Sequence, residues 1–316
     1  MCPVPATPSP TCGRFAAPRS VAGVPQLSWT TRPDDDAVAE ILSLLEAAAA
    51  ADGVDPVSEP VLLRLRHGRP GQHLLARDGA GTLVGFADLD VRHGRATAEL
   101  TVLPGHRGRG IAGALVDALA QRAGADMWAW AHGEHPAAVR LAERAGMRRA
   151  RELWQMRRSL ADPVPSRLLP EGLSLRAFVP GQDETAVVEL NNRAFAGHPE
   201  QSGWEVADLA LREGEPWFDP AGFLLAVGDV DRLHGFHWTK VHPGPPPAGE
   251  IYVLAVGPDA QSGGLGAALA AAGLQHLRQR GLGEALLYTE ADNAAAIRMY
   301  RKLGFARHHI DVEFLR

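Results

Sequence analysis

The segment LPGHRGRGIAGALV (103–116) decides how this chain is read. It follows the strand-like run AELTV and opens a helix-like run, and Gly108, Gly110 and Gly113 fit the dinucleotide spacing G-x-G-x-x-G. A dinucleotide loop puts its first glycine at the strand end, where the turn is tight. Here Pro104, Gly105, His106 and Arg107 intervene, and the strand patterns upstream read as antiparallel hairpins. No acidic residue closes a second parallel strand after a crossover, and no G-x-x-x-x-G-K-(Ser/Thr) loop is present.

The segment also recurs. TVLPGHRGRGIAGAL (101–115) aligns with AVGPDAQSGGLGAAL (255–269), pairing Pro104 with Pro258, Arg107 with Gln261 and Gly110 with Gly264, each 154 residues apart. Downstream, AAVRLAERAGM (137–147) matches AAIRMYRKLGF (295–305) at a spacing of 158. A repeat this long is a duplicated domain and not a solenoid unit. Both copies share a strand that stops at proline, a turn, and small residues that open a helix. Free backbone N–H groups and the helix dipole at such a junction suit a diphosphate.

Periodicity predicts mixed α/β halves. In the second half 184–195 reads as a helix, and 222–228, 233–242 and 249–257 as consecutive strands. The segment 264–280 is a helix striped by Leu265, Leu269, Gly273 and Leu277; then follow a strand (285–291), a helix (293–304) stopped by Gly304, and a last strand (305–315). Alternation puts Phe236, Trp238, Lys240 and His242 on one strand face, and Glu250 on a face with Tyr252, Leu254 and Val256. The first half repeats this order. The expected division is a disordered lead at 1–24, a first domain at 25–160, a Pro-marked boundary near 159–172, and a second domain at 171–316.

Bulk properties agree. A chain of 316 residues, 46% hydrophobic and 22% charged, fits two globular domains. A net charge of −5 without a basic block gives no reason to expect a nucleic-acid partner. No run reaches the ~18 apolar residues of a membrane span, and 1–24 lacks the apolar stretch of a signal peptide. Cys2 and Cys12 build neither a disulfide framework nor a metal site, which suits a reducing cytoplasm. No metal is expected, and a monomer is.

The duplicated junction resembles the acyl-CoA pyrophosphate loop of the GNAT family of N-acetyltransferases. Asn293, Ala296, Tyr300, Gly304 and Phe305 also match that family's N-x-x-A-x-x-x-Y-x-x-x-G-F helix. The resemblance covers both halves. It implies two tandem GNAT domains of α/β class with a mixed sheet, and acetyl-CoA as co-substrate. In the second half the acetyl-CoA residues would be Leu254, Ala255, Val256, Gln261, Ser262, Gly263, Gly264, Leu265, Gly266, Ala267, Asn293, Ala294, Ala295, Ala296, Ile297 and Arg298. In the first half they would be Leu100, Thr101, Val102, Arg107, Gly108, Arg109, Gly110, Ile111, Ala112 and Gly113. Amide formation from a thioester needs an amine free of its proton, a polarised carbonyl and a proton for the departing thiolate. Glu250 is the candidate base and Tyr300 the candidate acid. The first half has Ala142 where Tyr300 stands and His135 where Asn293 stands, so only the second half is expected to catalyse.

A narrower resemblance is to tandem members with an eroded first half that acetylate the cysteinyl amine of cysteinyl-glucosaminyl-inositol. It is carried by 55–65, 191–204, 237–240, 249–256 and 286–305. It implies that Glu59, Glu200, Lys240, Glu250 and Tyr288 contact this small-molecule acceptor through charge-assisted hydrogen bonds. Two features depart from the pattern: the proline-rich lead, and Gly257 where an acidic residue is expected. Acetylation of a different amine, and a non-catalytic acyl-CoA sensor, remain the competing readings.

Overall fold

The computed structural model describes residues 25–316 apart from 93, 125 and 262, so the expected lead at 1–24 and Ser262 lie outside the described residues. The first half comprises β1 (Gln26–Thr30), α1 (Asp35–Asp52), α2 (Glu59–Arg66), β2 (Gln72–Arg77), β3 (Leu83–Arg92), β4 (Arg95–Val102), α3 (Ile111–Ala123), β5 (Met127–Ala131), α4 (Pro136–Arg144) and β6 (Arg148–Ser159). The second comprises β7 (Ser174–Ala177), α5 (Glu184–Ala194), α6 (Val206–Glu213), β8 (Phe223–Val227), β9 (Leu233–His242), β10 (Ala248–Val256), α7 (Leu265–Gln279), β11 (Glu284–Glu290), α8 (Ala294–Lys302) and β12 (Ala306–Leu315).

One mixed sheet runs through both halves, in the order β1-β2-β3-β4-β5-β12-β6-β11-β10-β9-β8-β7. The order shows an exchange of the last strands. β6 ends the first half in sequence yet pairs with β11 of the second, Gln155 opposite Tyr288. β12 ends the chain yet pairs with β5 of the first half, Val312 opposite Ala131. β6 and β12 also pair with each other. The boundary segment expected at 159–172 thus leads from β6, already within the second half's part of the sheet, to β7 at its far edge.

Helices cover both faces. On one face α3 and α4 pack Leu115, Leu119 and Ala142 against Leu74, Ala87 and Met127, and α7 and α8 pack Leu274, Leu277 and Tyr300 against Ile251 and Leu287. On the other, α1 and α2 cover Leu75 and Phe86, and α5 covers Phe223, Phe236 and Trp238. Gly273 stands in the apolar stripe of α7 because a Cβ there would meet the His237 ring at 2.0 Å. That buried ring donates from Nδ1 to the Leu269 carbonyl at 2.7 Å, and burial pushes its pKa down to about 4, so it packs as a neutral group.

Candidate active site

The two duplicated junctions have the same backbone. Gly110 caps α3 with φ 84° and Gly264 caps α7 with φ 81°. Both values lie in the left-handed region that glycine tolerates best, and the space a Cβ would take is open at each. Neither helix start carries a side-chain cap, so the first-turn N–H groups are available to a ligand. This arrangement fits a diphosphate held by backbone.

Behind each junction two parallel strands part. β10 pairs with β11 only from Gly249 to Ile251, and β4 with β5 only from Ala96 to Ala98. Beyond these points the strands splay, and one edge of each leaves backbone groups without a ladder partner. The register also aligns the halves where sequence spacing did not. Glu250 stands one residue before the last pair of β10, opposite Leu286. Thr97 stands at that place in β4, opposite Trp128. The first half therefore lacks a carboxylate at the Glu250 position as well as a phenol at the Tyr300 position.

The faces of β10 correct the sequence expectation. Against β9, Ile251 sits opposite Thr239 and Val253 opposite Trp238, with Tyr252 as the extra residue of a β-bulge. A bulge inverts the alternation that follows it. Glu250, opposite Lys240, shares its face with Val253 and Ala255, which pack with Trp238. Leu254 and Val256 turn to the α7 side, against Leu265 and Leu269. Glu250 therefore does not share a strand face with Leu254 and Val256, which are among the residues expected to hold acetyl-CoA.

A cleft of 3210 Å³ runs over this region and across the exchanged strands. Of the second-half residues expected to hold acetyl-CoA, Leu254, Ala255, Val256, Gln261, Gly264, Leu265, Gly266, Ala267, Asn293, Ala295 and Ala296 line it, together with Tyr300. Gly263, Ala294, Ile297 and Arg298 do not line it; the Ile297 side chain is core. Asn293 accepts a hydrogen bond from the Ala296 N–H at 3.0 Å and caps α8. None of the first-half set, 100–102 and 107–113, lines the cleft. Arg107 is engaged within the protein: its guanidinium grips Asp52 with 2.7 and 2.8 Å bonds, and its Nε donates to the Val102 carbonyl.

All the expected acceptor residues line the cleft, in three clusters. Glu59, in the first turn of α2, accepts hydrogen bonds from Lys240 and from Tyr252. Arg212 of α6 in turn donates to the Tyr252 hydroxyl at 2.7 Å. Burial alone would raise the Glu59 pKa, but Lys240 and Tyr252 outweigh it and hold the carboxyl below its usual value. Glu250 is buried and bonded to His242 Nε2 at 2.6 Å. The Tyr288 hydroxyl accepts from Gln155 at 2.7 Å; burial and the Glu250 charge push its pKa up. Glu200 lies apart, held bidentately by Arg151 at 2.9 and 3.1 Å. Glu200, Glu290 and His198 bring ligand atoms within 4.8 Å of one another, but Arg151 binds both carboxylates and already supplies the cation. Tyr300 is 7% exposed, edge-on to Phe305, and burial raises its pKa, so the hydroxyl stays protonated.

Tyr252, Arg212 and Gln155 were not legible as site residues. Tyr252 enters through the bulge, Arg212 through a short helix with no motif, and Gln155 through the strand exchange.

The family model described as "Acetyltransferase (GNAT) family" matches residues 38–147 and 185–305. A mycothiol acetyltransferase of Nocardia farcinica is 52% identical over 90% of this chain and 96% of its own. One of Salinispora arenicola is 51% identical over 92% and 97%. The chain belongs to the GNAT acetyltransferases and, among them, to the mycothiol acetyltransferase family. A solved tandem GNAT protein from the clavulanic acid biosynthesis pathway has the same fold, with a TM-score of 0.68, 22% identity and coverage of 92% and 98%. A GCN5-related N-acetyltransferase of Sphaerobacter thermophilus gives 0.66, 26% identity, and coverage of 92% and 95%. Family membership carries the tandem GNAT architecture and acetyl transfer.

Proposed function

We propose that this chain transfers acetyl from acetyl-CoA to the cysteinyl amine of cysteinyl-glucosaminyl-inositol, the last step of mycothiol synthesis, and that the second half alone catalyses. The observation that carries this reading is a single cleft holding the second-half phosphate junction, the splay, Glu250 and Tyr300, while the first half has Thr97 and Ala142 at the two chemical positions. Acetyl-CoA, when bound, supplies the activated acyl group. Backbone N–H groups at the start of α7 hold its diphosphate, and the open edge of β10 beyond Ile251 polarises the acyl carbonyl. Glu250 takes the ammonium proton, and Tyr300, kept neutral by burial, returns a proton to the thiolate. Glu59, Lys240, Tyr288 and Glu200 would meet the polyhydroxylated acceptor. This reading needs no metal and no nucleic-acid or membrane partner, and places a monomer in the cytoplasm. Among the described residues no helix is long and apolar enough to cross a membrane.

Thiol release from acetyl-CoA, followed with a chromogenic reagent across a panel of amines, tests it. Turnover is expected with cysteinyl-glucosaminyl-inositol. Equal turnover on unrelated amines, or acetyl-CoA binding without turnover on any, would overturn it.

A further inference from the structure

Glu250 has one polar partner that reaches solvent. His242 is the last residue of β9, where the chain leaves the sheet into the proline-rich turn 243–247. Its Nε2 lies 2.6 Å from Glu250 Oε2, and the imidazole side chain is 34% exposed while the Glu250 side chain is 8% exposed. The other ionisable groups of this part of the cleft have partners of their own. Lys240 on β9 and Tyr252 on β10 bind Glu59 of α2. Arg212 of α6 binds Tyr252, Arg157 of β6 binds Glu284 of β11, and Arg280, just past α7, binds Asp219. The Tyr288 phenol binds Gln155. Glu250 therefore has His242 as its side-chain hydrogen-bond partner, through Oε2.

We propose that His242 is a positioning residue for Glu250, donating Nε2–H to Oε2 so that the pair acts as one base. This rests on the assignment of Glu250 above. The Nε2–H of His242 donates to Oε2 and holds the Glu250 carboxylate in place. The acceptor ammonium N–H bond breaks, its electron pair stays on nitrogen, and the proton moves to the other carboxylate oxygen, Oε1. It leaves that oxygen for water in the cleft once product departs, which restores the carboxylate. Loss of the Nε2–H donor disfavours the charged form of Glu250, so the acid limb of kcat moves up in pH when His242 is replaced.

The test measures kcat against pH for the full chain, its His242→Gln and His242→Ala variants, and Glu250→Gln, with thermal unfolding as the check on folding. We expect kcat to fall roughly 10–100-fold in both His242 variants, with acceptor KM within about twofold and the acid limb displaced by about one pH unit or more. Imidazole added to His242→Ala should restore several-fold of the loss. Adding either His242 change to Glu250→Gln should cost little more, since residues acting as a unit are not additive. An acid limb left in place in both variants, with no response to imidazole, overturns the positioning role while leaving Glu250 as base. Full activity in Glu250→Gln would instead remove the base assignment itself. Should His242→Ala fail to fold, the limb of His242→Gln decides.

Discussion

Glu59 of the first half and Lys240 of the second form an ion pair that bridges the halves, and Tyr252 donates to the same carboxylate. The pair is mostly buried, with side-chain exposures of 21% and 12%. An unpartnered charge at such depth is costly. The halves are thus tied at the cleft by a residue also proposed to meet the acceptor.

Glu59→Gln should therefore act on stability and on binding. The folded carboxyl titrates below its usual value of 4.5. Its stabilisation is present above that value and fades as pH falls through the lower folded one. At pH 7 the variant should lose about 1–3 kcal/mol, the lower end reflecting partial exposure, and acceptor KM should rise. Urea midpoints of both proteins at pH 7 and near pH 4 check the sign. A gap that fails to narrow on acidification would show that the carboxylate charge is not what stabilises.

A second tie uses the exchanged strand. His132, after β5, contacts Glu99 of β4 at 3.1 Å and Asp311 of β12 at 3.2 Å, and Glu99 also accepts from the Ser58 backbone and hydroxyl. Burial would lower the His132 pKa; the bonds to Asp311 and Glu99 overcome this and raise it to about 10. The folded pKa lies above the unfolded value of 6.5, so the stabilisation is complete below pH 6.5 and is lost as pH rises through about 10. His132→Gln should unfold about 2–4 kcal/mol more easily at pH 6. Its thermal midpoint should fall less steeply than the parent's between pH 8 and 10.5. Parallel curves over that range would remove the ion pairs from the account.

How far the sequence was legible follows from what each feature depends on. The helix from Leu265 to Gln279 and the strands around it were readable because apolar period and Gly264 are local properties. The two glycine-capped junctions before α3 and α7 were readable because a positive-φ turn that opens a helix needs small residues at fixed spacing. The exchange of β6 and β12 was not, since pairing partners at this separation leave no local pattern. The bulge at Tyr252 was not either, and it inverted the face assigned to Leu254 and Val256. Thr97 escaped notice for the same reason. The bulge makes the spacing to Glu250 differ by one residue from that of the proline pairs, so only strand register equates them.

The two capping glycines offer a matched comparison. Gly264 lines the cleft and Gly110 does not, yet both hold φ above 80° with room for a Cβ. Alanine at either position strains the backbone by ~1–2 kcal/mol, so the structural cost is shared. Gly264→Ala should raise the acetyl-CoA KM about tenfold, through a displaced diphosphate cradle, while Gly110→Ala leaves kcat and KM within about twofold. Steady-state kinetics of both variants under one buffer decide the matter. Loss of turnover in Gly110→Ala alone would mean that the first half takes part in catalysis.

Tyr300 is the sharpest case, because its ring and its hydroxyl do different things. The ring packs with Leu303 and Phe305 in the core beneath α8, and phenylalanine keeps that packing. The residue also lines the cleft, as do Leu254 and Asn293, and its hydroxyl is the group proposed as acid. Tyr300→Phe should therefore leave the thermal midpoint and the acetyl-CoA KM nearly unchanged while kcat falls ~10²–10³-fold, the range of a lost general acid. Because burial keeps the phenol protonated beyond the ordinary tyrosine range, no basic limb from this group should enter the parent's kcat profile below about pH 10. Stopped-flow thiol release and differential scanning calorimetry on the same preparations separate the two roles. Retention of kcat with a stable fold would make Tyr300 a packing residue only, and the proton for the leaving thiolate would then have to come from solvent.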